Sequence, residues 1–152
     1  MKKSIILLFL AFSSLAINAQ ELKWYTDVKE ASAVSIKTKK PLLLFFTGSD
    51  WCGWCMKLQK EVFVQPDFAK WAKENVVLVE LDYPKRKQLT PELTKQNNEI
   101  GQMFGIRGYP TVWLVNSSNS KDQLAFERLG STGYVAGGPQ KWIEGANAIL
   151  KK

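Results

Sequence analysis

The chain has 152 residues, 45% of them hydrophobic and 12% aromatic, which suits one domain-sized core and excludes a disordered chain. Its formal charge is +7, from 21 basic and 14 acidic residues, and it carries two cysteines and no histidine. The basic residues fall in separated runs (Lys37-Lys39-Lys40, Lys85-Arg86-Lys87, Lys151-Lys152) rather than one aromatic-laced stripe, which argues against nucleic acid as a partner.

In chain order, Met1-Lys2-Lys3 is a short basic start, and Ser4 to Leu15 is an apolar run without a charge. Small residues follow, with Ala19 suited to the last position before cleavage. This is the pattern of a secretory signal peptide over residues 1–19, and the run is shorter than the roughly 20 apolar residues that cross a bilayer. Cleavage would leave residues 20–152 as one exported domain, periplasmic or extracellular. Lys2 and Lys3 would go with the leader, taking 21 basic residues to 19 against 14 acidic and the charge from +7 to +5.

Leu22 to Thr26 reads as short and extended, and Asp27 can cap a helix reaching about Lys39. The run 41-PLLLFFTG-48 is continuously apolar and closed by glycine, as in a strand covered on both faces. After Ser49-Asp50 come WCGWC and a helix from Cys55 to about Val64. A second helical piece, 66-PDFAKWAKEN-75, starts on a proline. The β-rich 76-VVLVELDY-83 follows. Then 84-PKRKQLTPEL-93, basic and with two prolines, reads as a loop.

A helix from about Thr94 to Phe104 is stopped by Gly105, and 106-IRGYPTVWLVN-116 reads as a turn feeding a strand. Asn116 to Lys121 has turn composition, and 123-QLAFERL-129 alternates like a hairpin partner. The loop 130-GSTGYVAGG-138 leads to a last helix with Pro139 at its start and Trp142, Ile143, Ala146 and Ile149 on its docking side. Early strands alternate with helices and the late pair is a hairpin, so an α/β fold with a mixed central sheet is expected. The periodic settings of Trp24, Trp71, Trp113 and Trp142 make them core candidates.

Cys52 and Cys55 admit three uses. A closed zinc site needs four ligands, and two thiolates without histidine fall short, so no metal or other cofactor is called for. A structural staple is a poor use of this spacing, because disulfide stabilisation grows with loop length. Dithiol–disulfide exchange fits the placement between a buried strand and a helix. Cys52 would sit at the helix N-terminus, where unpaired N–H groups and the helix dipole favour a thiolate. Cys55, one turn on, can attack the Cys52 sulfur in a mixed disulfide and release the substrate. Gly53 is read as permitting the tight turn.

Trp51-Cys52-Gly53-Trp54-Cys55, the apolar strand before it, and Gly108-Tyr109-Pro110-Thr111 before a second strand resemble the thioredoxin superfamily over roughly Leu22 to the C-terminus. The resemblance implies a four- or five-stranded mixed sheet between helices, with Cys52 attacking and Cys55 resolving. It implies a cis bond before Pro110, with Tyr109 offering backbone hydrogen bonds to a substrate strand. Trp51 then shields the pair and touches substrate, while Trp54 projects outward as an apolar substrate contact. One departure stands out. The family's buried acid, six residues before the first cysteine, is here Phe46. Proton transfer must use water, Glu80 on the next strand, or Lys57, whose charge can also lower a thiol pKa.

The expected activity is that of an exported thiol–disulfide oxidoreductase. Its leading form reduces disulfides in other exported proteins and is recharged by a membrane thiol donor, which the resemblance implies and no residue indicates. A disulfide oxidant or isomerase using the same cysteines, and a redox-inactive peptide-binding module, are the alternatives.

Overall fold

The computed structural model describes residues 22–120 and 123–151; the expected signal peptide lies outside them. Five strands form one mixed sheet in the order β1-β3-β2-β4-β5, with β1 at Trp24–Tyr25, β2 at Leu42–Thr47, β3 at Val77–Asp82, β4 at Thr111–Ser120 and β5 at Gln123–Thr132. The first three pair in parallel, and β4 runs antiparallel to both β2 and β5. The helices are α1 (Val28–Thr38), α2 (Gly53–Leu58), α3 (Pro66–Asn75), α4 (Pro91–Phe104) and α5 (Gly138–Leu150). A π-helical turn, Gln59–Phe63, continues α2.

All six residues of β2 are buried, because helices cover both faces of the sheet. Alternation divides them. Leu43 and Phe45 join the core under α2, α3 and α5, which also holds Phe63, Phe68, Trp142 and both cysteines. Leu42, Leu44 and Phe46 join the opposite core under α1 and α4, with Val28, Ile100 and Phe104. Each fully buried Leu or Phe contributes about 1.5–3 kcal/mol relative to exposure. Phe63 is the hub of the first core, with ring centroids 4.7–5.3 Å from Phe68, Phe45, Trp24 and Trp142.

Local chemistry sets the ends. Asp27 caps α1 by accepting from the N–H groups of Lys29 (2.7 Å) and Glu30 (3.0 Å). Gly105 closes α4 at φ 63°.

Several boundaries differ from the sequence reading, and α2 starts at Gly53, two residues before the expected Cys55. Helix α4 starts at Pro91, not Thr94. Thr90 caps it, and a proline at the first helical position gives up an N–H that has no helical partner anyway. The expected turn over Asn116 to Lys121 is strand through Ser120, with β5 beginning at Gln123 and running on to Thr132 through part of the expected loop. The antiparallel ladder satisfies this polar backbone. Asn116 also donates to Glu127 (2.8 Å), and the Ser117 and Ser35 hydroxyls lie 2.8 Å apart, so turn composition is outweighed by pairing.

Candidate functional site

The strand-to-helix turn is built on Gly48. Its carbonyl accepts from the N–H of Trp51 (3.2 Å) and of Cys52 (2.8 Å), which folds the chain back directly after β2. A Cβ at Gly48 would collide with the Trp51 indole, so this glycine lets the indole lie across the turn. The indole N–H donates to the Tyr83 carbonyl at 2.7 Å. Gly53, by contrast, has open space where a Cβ would stand and an ordinary φ. Glycine at 53 is compatible with the turn but not required by it.

Cys52 is the N-cap of α2, with φ −90° and ψ 100°, and its Sγ accepts from the Cys55 N–H at 3.2 Å. The two cysteines are joined by a disulfide, with Cα atoms 5.2 Å apart. Both cysteines are buried, Cys55 at 1% exposed and Cys52 at 6%, so Cys52 is the more exposed residue of the pair.

Aromatic side chains frame the pair. Trp51 meets Tyr109 edge-to-face at 5.7 Å, and the Tyr109–Pro110 peptide is cis. A Cβ on Gly133 would stand 3.2 Å from the Pro110 carbonyl, and the Gly133 carbonyl accepts from the Trp142 indole at 3.0 Å. The loop after β5 is thereby anchored beside Pro110. Trp54 is 58% exposed and packs against Tyr134 at 5.2 Å. The Lys57 ammonium lies 5.1 Å from the Trp54 ring and 4.9 Å from that of Tyr134, and the Tyr134 hydroxyl meets Glu61 at 2.6 Å. Lys57 also pairs loosely with Glu61, at 3.9 Å. Its contacts are with the rim.

The floor beneath the pair differs from the sequence reading. Phe46 faces away, into the core against Phe104, because side chains alternate along β2. Phe45 faces the cysteines instead. Its pairing partner on β3 is Glu80. Glu80 lines a cavity of about 200 Å³ together with Phe45, Thr47, Cys55 and Gln59. Burial raises the Glu80 carboxyl above its ordinary pKa, repulsion from Asp82 adds to this, and Lys87 opposes it. On the same wall, the buried Gln59 Oε1 has no hydrogen-bond partner among the described residues.

The basic segment after β3 is tied to the turn. Asp50 accepts from the N–H groups of Lys85 (2.9 Å), Arg86 (2.7 Å) and Lys87 (3.0 Å). These bonds, led by that of Lys85, hold its carboxyl below the ordinary carboxylate pKa. Asp82, 5% exposed, accepts from the Ser49 N–H and hydroxyl and pairs with Lys87 at 2.8 Å. The Lys85 ammonium lies 4.1 Å from the Trp51 ring.

The structure thus brings Trp51, Cys52, Trp54, Cys55 and Tyr109 into one framed patch, with Glu80 below and Lys57 on the rim. Sequence reading missed Gly48, Asp82 and Tyr134, and gave Asp50 no role. Asp50 adjoins the Trp-Cys motif, which was a usable signal. Tyr134 lies in a glycine-rich loop far along the chain and had none.

The family model for a thioredoxin-like domain matches residues 28–135. The disulfide bond reductase DsbH of Chlamydia pneumoniae is 31% identical over 121 residues, covering 79% of this chain and 72% of that protein. The thioredoxin-related protein DsbJ of the same organism is 33% identical over 120 residues, but this chain spans only 33% of its length. A solved structure of a DsbH oxidoreductase superposes with a TM-score of 0.79 at 29% identity, covering 90% of this chain and 89% of that one. By its sheet order, its cysteine-capped helix and these matches, the chain belongs to the thioredoxin-like family.

Proposed function

We propose that this thiol–disulfide oxidoreductase works as a reductase on disulfides of other exported proteins, with Cys52 as nucleophile and Cys55 as resolving thiol. The observation that carries the assignment of roles is the helix cap. Cys52 Sγ receives the Cys55 N–H at the N-terminus of α2, where a thiolate is stabilised, and Cys52 is the less buried residue of the pair.

In the reduced enzyme the Cys52 thiolate attacks one sulfur of a client disulfide. A Cys52–client bond forms, and the other client sulfur leaves as a thiolate and takes up a proton. Cys55 loses its proton and attacks the Cys52 Sγ. The bond from Cys52 to the client breaks, the client sulfur it held departs as a thiolate and takes up a proton, and the Cys52–Cys55 disulfide remains. Two electrons have passed to the client. Glu80, which shares the small cavity with Cys55, is the acceptor of the Cys55 proton, since a carboxyl of raised pKa is better matched to a thiol than an ordinary one. Trp51, Gly53, Trp54, Tyr109 and Pro110 form the client-facing surface, and Lys57 acts there by holding Trp54. The Cys52–Cys55 disulfide must be re-reduced for a further turnover, and a membrane thiol protein is the donor that suits an oxidising compartment.

Export rests on the Met1–Ala19 leader, and N-terminal sequencing of the mature protein should begin at Gln20. Among the described residues no helix is long and apolar enough to cross a membrane. The roles of the cysteines are tested by substitution. Cys52→Ser should abolish reduction of a disulfide-bonded test protein, and Cys55→Ser should accumulate mixed disulfides through Cys52. Full reductase turnover by Cys52→Ser would refute the assignment.

A further inference from the structure

Two cavities adjoin on the Trp51 side of the site. The first, about 480 Å³, is lined by Trp51, Tyr83, Lys85, Gln88 and Asn98 among others. The second, about 440 Å³, is lined by Tyr83, Asn98, Gln102, Arg107 and Tyr109. They share Tyr83 and Asn98, so they form one trench along α4, from the basic segment after β3 to the turn before Pro110. Each half falls in the size range of ligand clefts. Trp51 closes the trench at one place and Tyr109 at another, and these two rings touch beside Cys52.

The charge along this trench is one-sided. Lys85, Lys87 and Arg107 line it, and Asp82 is the carboxylate on its wall. Asp82 is already occupied by Lys87 and Ser49. Asp50, the other acid at this end, is occupied by three backbone N–H groups, which fix the segment that presents Lys85 and Arg86. Among the described residues Lys85, Arg86 and Arg107 form no ion pair, and all three are exposed. The Lys85 ammonium sits against Trp51, next in sequence to Cys52. The remaining polar lining consists of amides and hydroxyls, which accept or donate to a peptide backbone as required.

From this we infer that the trench receives an extended acidic segment of the client, flanking the attacked cysteine, with Lys85 and Arg107 selecting for its carboxylates. The inference deepens the reductase reading and rests on it for the identity of the client as a disulfide-bonded protein. Two exposed charge pairs of ordinary strength give a preference on the order of ten-fold. Such pairs weaken with ionic strength.

The test uses the full chain and peptide disulfides that differ only in flanking residues, aspartate-rich or lysine-rich. The expected result is a roughly ten-fold higher kcat/KM for the acidic peptide at low salt, shrinking toward parity in about 0.5 M NaCl. The double variant Lys85→Glu, Arg107→Glu should reverse the preference. Equal kcat/KM for the two peptides at low salt, or a preference the double variant does not move, would overturn the inference. Binding of the same peptides with serine in place of cysteine is read in parallel. Acid-selective binding without reduction of either peptide would sink the reductase reading and uphold the trench. Unselective binding would sink the trench.

Discussion

Replacing Glu80 by glutamine tests whether this carboxylate takes the Cys55 proton. The side chain keeps its size while losing its charge and basicity, so the cavity it shares with Phe45, Thr47 and Cys55 should stay intact. A free thiol of pKa about 8.5 is roughly 3% ionised at pH 7, so a well-placed base can speed the resolving attack by up to about thirty-fold. Glu80→Gln should therefore slow resolution on the order of ten- to thirty-fold at pH 7, and the Cys52–client mixed disulfide should accumulate. As pH rises the thiol ionises without help from a base, and the gap between the two proteins should narrow.

The assay is acid-quenched alkylation at timed intervals, with the mixed disulfide counted by mass spectrometry. A second readout separates this from structural damage. The folded carboxyl binds its proton more tightly than the unfolded one, so its contribution to stability is full below the unfolded pKa and is lost as pH rises through the folded value. A neutral glutamine removes that loss, so the variant should be no less stable than the parent at pH 7. An undiminished resolution rate at pH 7, or a deficit that does not narrow as pH is raised, would refute the role.

Two further predictions follow from the turn. Gly48→Ala drives a methyl into the Trp51 indole and should cost about 1–3 kcal/mol in denaturant unfolding, with disulfide reduction impaired as well; an unchanged unfolding midpoint would contradict the packing described. Asp50→Ala frees three N–H groups at 85–87, and their hydrogen exchange should accelerate while the exchange of β2 is unaffected. Because the folded Asp50 carboxyl is depressed, its contribution is present above the unfolded pKa and is lost as pH falls through the folded value. In the parent, protection at 85–87 should therefore fade only in acid.

Much of this was legible in the chain. The six-residue apolar run of β2, the proline starts of α3 and α5 and the Asp27 cap are local signals with local causes. The placing of the cysteines at a strand-to-helix junction was equally local. What could not be read depended on facing and partnership. Counting six residues back from Cys52 reaches Phe46, but the alternation of β2 turns that side chain to the far core and puts Phe45 under the pair. Glu80 becomes a cavity wall only because β3 pairs with β2 in register opposite Phe45. The polar stretch 116-NSSNS-120 has turn composition yet pairs along its length, since a ten-residue partner across the hairpin supplies the hydrogen bonds. Tyr134 reaches the rim through tertiary contacts with Trp54 and Glu61 that no local pattern announces.

The reduction potential of the Cys52–Cys55 couple tests the proposed reductase direction most directly. Thioredoxin lies at about −270 mV and the strongly oxidising DsbA at about −120 mV. Equilibration of the full-length protein against a thiol–disulfide buffer, with the reduced fraction read by alkylation, should give a value nearer the former. A value near −120 mV would contradict the account, because a disulfide held that weakly draws electrons from clients instead of supplying them.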